Sequence, residues 1–310
     1  MLLQAVSIGY AVPRDSFDAE VHSIFDTSAN LKLAGDGLLT LFTSEHHDLP
    51  QGIRLNTRGI VFNNLRIGQK AACRAGILRS AGLYPIDLRA ARQWKCDLTS
   101  LYFDINNPRT KSAWQTVWAG LNHRQERTQA QIQARGLFEP INASALGRKI
   151  GPRIQALISA TKTLHPVAAT EPASQIIGLG PGVTPSGDDI LLGYLAGLWS
   201  TLGGQLERLS FLSSFSAGLL RLAEQTNDIS QTYLFHAIQG QFSSSLDQLI
   251  EAIASRPPDE KLIPIAEAAM AAGHSSGMDA VTGLLIGLGV WDTPSLFTLF
   301  PPEAELAVRS

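Results

Sequence analysis

The sequence predicts an α+β protein in two parts, a β-rich N-terminal domain over residues 1–105 and a mostly α-helical domain over residues 106–310 with two central glycine-rich helices. Three observations lead there. Short strand-like runs between turn formers fill the first third of the chain, apolar residues recur at three- and four-residue spacing from about Ser112, and a glycine-rich apolar stretch inside the second part reappears near its end. The chain is 310 residues long and 45% apolar, ample for a real core.

The N-terminal MLLQAVSIGYAVP carries no basic residue ahead of its apolar part and no cleavage site, so it reads as a first strand rather than a secretory signal. Leu38–Phe42, Ile53–Leu55 and Gly59–Leu65 read as further strands, with Gly35-Asp36-Gly37 a hairpin turn. His46 and His47 fall in a polar loop, where neighbouring side chains on extended backbone point apart and make poor metal ligands. Tyr84 to Phe103, with Arg89, Arg92, Trp94 and Lys95, reads as an amphipathic surface segment ending the first domain. The turn formers between Asp104 and Lys111 mark the domain boundary.

Helical periodicity then takes over. Trp114, Val117, Trp118 and Leu121 share one face of a helix from Ser112 to a stop near Gly136, and a second helix covers Ser144 to Leu164. The low-complexity VAATEPAS (Val167 to Ser174) reads as a link into a short strand-like IIG. Helices follow at Leu206 to Gln225, from about Thr226 to Gly240, at Ser244 to Ala254 and at Leu262 to Ala272.

Within this half, IIGLGPGVTPSGDDILLGYLAGLW (Ile176 to Trp199) stands apart. Gly178, Gly180, Gly182, Pro181 and Pro185 exclude a regular element before Ser186, so the segment is a shaped loop. From Ser186 the signals are those of a helix start, with Ser186 as N-cap, Asp188 and Asp189 in the first turn, and Asp189 closing a capping box. Ser276 to Leu288 repeats Ser186 to Leu198 at constant offset, seven of thirteen positions being identical. Gly193 with Gly197, and Gly283 with Gly287, lie four apart and so on one helix face, where another backbone can approach closely. The two helices are expected to pack against each other or against equivalent partners.

Two such N-termini suit phosphate or carboxylate, because a helix start offers backbone N–H groups and partial positive charge. Thr184, Ser186, Ser275 and Ser276 add hydroxyls, and Gly180, Gly182, Gly187 and Gly277 let a ligand reach the backbone. Asp188, Asp189 and Asp279 are caps on one reading. On the other, Asp188 or Asp189 holds Mg²⁺ against a phosphate or accepts a proton from an amide nucleophile. His274, at the mouth of the second helix, is the acid–base candidate among the histidines.

Several classes are excluded. No Lys follows the glycines as in a Walker A loop, and Val183 stands where a dinucleotide fingerprint needs its third glycine. A net charge of -2 argues against nucleic acid or a polybasic membrane surface. The hydrophobic runs Ile190 to Leu202 and Ala280 to Trp291 are too short to span a bilayer. Cys73 and Cys96 lack metal or redox spacing and fit a reducing cytoplasm.

GLGPGVTPSGDD, TNDISQTYLFHAIQG (Thr226 to Gly240) and GHSSGMDAVTGLLIG (Gly273 to Gly287) together resemble the AllH-like subunit family of oxamate carbamoyltransferase, known from anaerobic allantoin degradation and once catalogued as a putative carboxylase. HSIFDTSANLKLAGDGLLTLFT (His22 to Thr43) is similar to the family's N-terminal strands. The resemblance implies a transferase subunit working with two companions, moving a carbamoyl group between phosphate and the nitrogen of oxamate, in the direction oxalurate plus phosphate to oxamate plus carbamoyl phosphate. In that picture the Gly180 to Asp189 loop holds phosphate, with Thr184 and Ser186 donating to it. His274, Ser275 and Ser276 bind the second anion, and backbone N–H groups stabilise the oxyanion. Two other readings stay open: a non-catalytic assembly subunit whose glycine helices are a protein interface, and a carboxylase-like enzyme.

Overall fold

The computed structural model describes residues 1–35, 37–98, 101–139 and 143–293. The chain forms two compact units, Met1–Cys96 with Gln241–Ser244, and Asp97–Gly240 with Ser245 onward.

The first unit is a barrel. Its strands are β1 (Leu3–Gly9), β2 (Ser16–Ile24), β3 (Ser28–Leu33), β4 (Leu38–Phe42), β5 (Gly52–Leu55), β6 (Lys70–Arg74), β7 (Ile77–Ser80), β8 (Leu83–Asp87) and β9 (Arg92–Trp94). They pair in the order β5-β4-β3-β2-β6-β7-β8-β1, and β1 pairs back onto β5, which closes an eight-stranded ring with β9 added beside β1. Closure removes the open edges that would otherwise template aggregation. Most pairs are antiparallel, while β1 runs parallel to β8 and β9, and β4 to β5. Alternation selects the inside: in β2, Phe17, Ala19 and Val21 are buried and Ser16 and Asp18 exposed.

Two sequence expectations change here. Gly59–Leu65 is irregular rather than a strand. Its apolar residues serve as a plug, with Phe62 and Leu65 buried in the barrel core. Tyr84–Phe103 supplies β8 and β9 instead of a surface segment, and Arg92 and Arg54 converge on the buried Asp48 carboxylate at 3.0 and 2.9 Å. Asp36, of the expected turn, lies outside the described residues. Its flanking strands β3 and β4 do pair as a hairpin, and Gly37 has φ +94°.

The second unit is helical: α1 (Pro108–Arg127), α2 (Ala145–Lys162), α3 (Pro166–Ser174), α4 (Ser186–Ser200), α5 (Leu206–Leu222), α6 (Asp228–Ala237), α7 (Ser244–Ser255), α8 (Asp259–Met270) and α9 (Ser276–Gly289). Asn107 caps α1 by accepting the Arg109 N–H at 3.0 Å, and Pro108 follows at the first helical position. That helix stops at Arg127, and Gly136 lies instead in a short 3₁₀ turn. The expected link Val167–Ser174 is helix α3: Pro166 opens it with a preset φ, and His165 Nδ1 accepts the Ala168 N–H. The strand-like IIG is a turn.

At the centre, α4 and α9 lie side by side and run in the same direction, Gly193 meeting Ala280 and Leu284, and Gly197 meeting Gly287 and Leu288. The contact repeats the sequence echo. A Cβ at Gly193 would collide with the Ala280 carbonyl oxygen, and one at Gly283 with the equivalent carbonyl of Ile190. The glycine faces are therefore consumed within the chain, which removes them as an interface for another protein. Residues Gly277 to Gly289 of α9 are all buried, as a helix apolar on every side must be. Trp114 Nε1 on α1 donates to the Leu285 carbonyl at 2.9 Å, and the Tyr194 hydroxyl donates to Thr161 Oγ1 on α2 at 2.7 Å. Among the described residues no helix is long and apolar enough to cross a membrane.

Replacing Gly193 or Gly283 with alanine is expected to destabilise the fold by about 1–3 kcal/mol or more, the range for overfilling a packed core. Gly120→Ala, in α1 where an added Cβ meets nothing within 4 Å, is expected to gain up to about 1 kcal/mol from helix propensity. Denaturant titration of these variants reads both signs.

Candidate functional site

The loop before α4 is shaped by glycine. Gly178, Gly180 and Gly182 have φ of +74°, +117° and +101°, conformations that other residues rarely adopt. At Gly187 a Cβ would strike the Ile176 carbonyl, so the first turn of α4 can sit on the incoming chain only without a side chain. The TND segment ahead of α6 clasps the loop from the other side. Thr226 donates its hydroxyl to Asp188 Oδ2 at 2.5 Å, Gly178 N–H donates to Asp188 Oδ1 at 2.7 Å, and Asn227 Nδ2 donates to the Val183 carbonyl at 3.0 Å.

Asp188 is thus a structural tie, both of its oxygens being held by the protein. Burial nevertheless outweighs those bonds and raises its pKa. Pro185 occupies the cap position, so Ser186 is the first helical residue and makes no side-chain cap. Nor does Asp189 close a capping box; the reason is that its carboxyl turns toward α9.

The backbone donors of the two N-termini are engaged in part. Gly187 N–H donates to the Leu179 carbonyl at 2.8 Å, and Asp188 and Asp189 N–H to the Pro185 carbonyl at 2.9 and 3.2 Å. In α9, Gly277 N–H donates to Ala272 and Asp279 N–H to Ser275, at 2.8 and 3.0 Å. Side chains complete this end of the helix pair.

Those side chains follow the symmetry of the echo. The Ser276 and Thr184 hydroxyls favour the charged form of the Asp189 carboxyl and the Ser186 hydroxyl that of Asp279, so each acid feels the serine of the other helix. Thr184 Oγ1 and Ser276 Oγ lie 2.6 Å apart and close the arrangement on its more open side. Asp189 and Asp279 are 7% and 1% exposed, and one oxygen of each, Oδ2, has no hydrogen-bond partner. Burial and the neighbouring Asp279 charge hold the Asp189 carboxyl well above the usual carboxylate range, and burial pushes Asp279 up to about 7.

Sequence reasoning did not single out Tyr233 on α6. Burial, and less so the Asp189 charge, pushes its hydroxyl up to about 12, so it lies within electrostatic reach of that acid. The segment TNDISQTYLF carried the signal only as part of a motif. Of the residues expected at the site, Thr184, Ser186, Asp189, Ser276 and Asp279 come together. Gly180 and Gly182 shape the loop, Gly187 and Gly277 seat the first turns on preceding carbonyls, and Ser275 occupies the cap position of α9 without a side-chain cap bond. His274 is exposed in the turn before α9. Among the described residues no group of three or more His, Cys, Asp or Glu has the geometry to hold a metal.

Residues 176–288 match the family described as oxamate carbamoyltransferase subunit AllH, and residues 4–93 match the AllH family N-terminal domain. The chain belongs to the AllH family. No solved structure matches it. The AllH match opens at the turn on which Gly187 rests and closes within α9, so it spans both carboxyls, the Thr226–Asn227 clasp and Tyr233. The AllH N-terminal match covers the barrel strands as far as β9.

Asp279 gives the acid pair a pH signature. The unfolded carboxyl releases its proton near the ordinary aspartate value of 3.8, whereas the folded one keeps it to about 7. Between these values the folded chain holds the extra proton, so stability falls as pH rises through the window, and the loss is complete above about 7. Buried His236, pushed down to about 4, titrates in part of the same window with opposite sign. The difference between wild type and Asp279→Asn isolates the carboxyl. In chelator-containing buffer the variant is expected to gain stability over wild type as pH rises from about 4 to about 7, read by urea titration across that range.

Proposed function

We propose that this chain is a carbamoyltransferase-type subunit whose reaction centre lies at the adjoining N-terminal ends of α4 and α9. The reaction is carbamoyl transfer between phosphate and the nitrogen of oxamate, running as phosphorolysis of oxalurate to oxamate and carbamoyl phosphate. Family membership supports the reaction class. The observation that carries the location is the buried pair Asp189 and Asp279, each with an unpartnered oxygen.

Such a pair does not arise for stability. Leaving a buried acceptor unsatisfied costs about 1–3 kcal/mol, more when the group is charged, and capping needs no burial of this depth. Perturbed acids clustered with hydroxyls are the usual mark of a reactive centre. Thr184, Ser186 and Ser276 supply rotatable donors for the oxygens of phosphate or of the oxamate carboxylate, and the Tyr233 hydroxyl stands behind them. Phosphate and oxamate are both anions, so they approach two carboxylates only when the negative charge of the pair is neutralised. His274, on the exposed turn, lies where a second anion would enter.

The helical residues 106–310 would carry the chemistry and residues 1–105 a separate role. Two companion subunits complete the enzyme, in the cytoplasm, where Cys73 and Cys96, which form no disulfide with each other, stay reduced. A thermal-shift series with phosphate, carbamoyl phosphate, oxamate, oxalurate and ATP is expected to raise the melting temperature for the first four and not for ATP. In the reconstituted complex Asp189→Asn is expected to lower kcat by about 10²-fold or more, the scale of a lost catalytic carboxylate. Full activity of that variant would remove the site from the mechanism.

A further inference from the structure

We propose that Asp189 and Asp279 are the carboxylate ligands of one divalent, oxygen-preferring cation of the Mg²⁺ or Mn²⁺ kind, held between the ends of α4 and α9. The inference rests on the carbamoyl-transfer reading for its substrate and on geometry for its ligands. Both side chains are more than nine-tenths buried, and each presents an oxygen that no protein donor reaches. The other polar groups around them, Thr184, Ser186 and Ser276, are hydroxyls, which can donate to a carboxylate and also lend an oxygen to a hard cation.

Counter-charge is the deciding quantity. The charges that act on Asp189 are those of Asp279 and Asp188, and among the described residues no ion pair joins either acid of the pair to a Lys, Arg or His. Two ionised carboxylates repel phosphate or oxamate. A divalent cation brings the pair to zero and gives the anion a ligand position of its own. Mg²⁺ is characteristically held by one or two carboxylates, with waters and a substrate phosphate completing its octahedron. Two carboxylates without a third acidic or imidazole ligand match that habit.

The scaffold suits the task. The glycine contacts between α4 and α9 fix the two backbones against each other, so the separation of the carboxyls is set by main-chain packing rather than by flexible side chains. Asp188, whose oxygens are held by Thr226 and Gly178, takes no part.

The test is Mn²⁺ binding to the full chain, read by electron paramagnetic resonance and calorimetry in the absence of any substrate. A single Mn²⁺ displaced by Mg²⁺ is expected, with affinity weakened at least about ten-fold by Asp189→Asn and by Asp279→Asn and unchanged by Glu260→Gln on α8. Both Asn variants are expected to melt cooperatively at or above the metal-free wild type, because each relieves buried charge. Failure of wild type to bind Mn²⁺, or binding unaltered in both Asn variants, overturns the site and leaves the pair to share a proton. Oxamate and carbamoyl phosphate failing to bind the Mn²⁺-loaded chain would instead remove the carbamoyl-transfer reading while the cation site stands.

Discussion

The backbone contact between α4 and α9 is the constraint on which the helical unit depends. Two glycines on each helix let main chain approach main chain, Gly193 against the Ala280 carbonyl and Gly283 against that of Ile190. At such a separation neither helix retains a solvent face, so the surrounding elements must cover them. Trp114, Thr161 and Gln125 do so with hydrogen bonds into the pair or its neighbours, the last donating to Thr282 Oγ1 at 3.1 Å. The parallel direction of the helices then brings two first turns to one end, which antiparallel packing would have set apart.

That end differs from an ordinary anion nest. Helix N-termini attract anions through free N–H groups and the macrodipole. Here local carbonyls take up some of those donors, and two carboxyls sit in the first turns, where the positive end of each helix points. The dipoles are thereby directed at the protein's own acids. Beside them stand the buried, unpartnered oxygen of each acid and three hydroxyls.

Much of this was legible in sequence, and the failures share one physical cause. The repeat of thirteen residues and its paired glycines announced two helices that approach closely, because four-residue spacing is a local property. The barrel strands β4 and β5 were legible for the same reason, whereas ring closure of β1 onto β5 was not, since pairing of distant strands leaves no local trace. Asp189 read as a capping residue because cap rules consider only the next few positions, yet its partner Asp279 lies 90 residues away. Gly59–Leu65 had the composition of a strand and the job of a plug. VAATEPAS had the composition of a linker, and a preceding proline and histidine turned it into a helix.

The distance between Ser186 and Ser276 also bears on how the molecule comes into being. Each helix brings one acid and one serine, and neither half has its partner until the 89 residues between the two serines have been placed. Contacts of such separation require loop closure before any stabilisation returns, so they form late. During synthesis the first helix emerges with its glycine face bare and waits for the second. An incomplete or misassembled chain therefore holds half a centre, and the chemistry of this end of the molecule is itself a report that folding is finished.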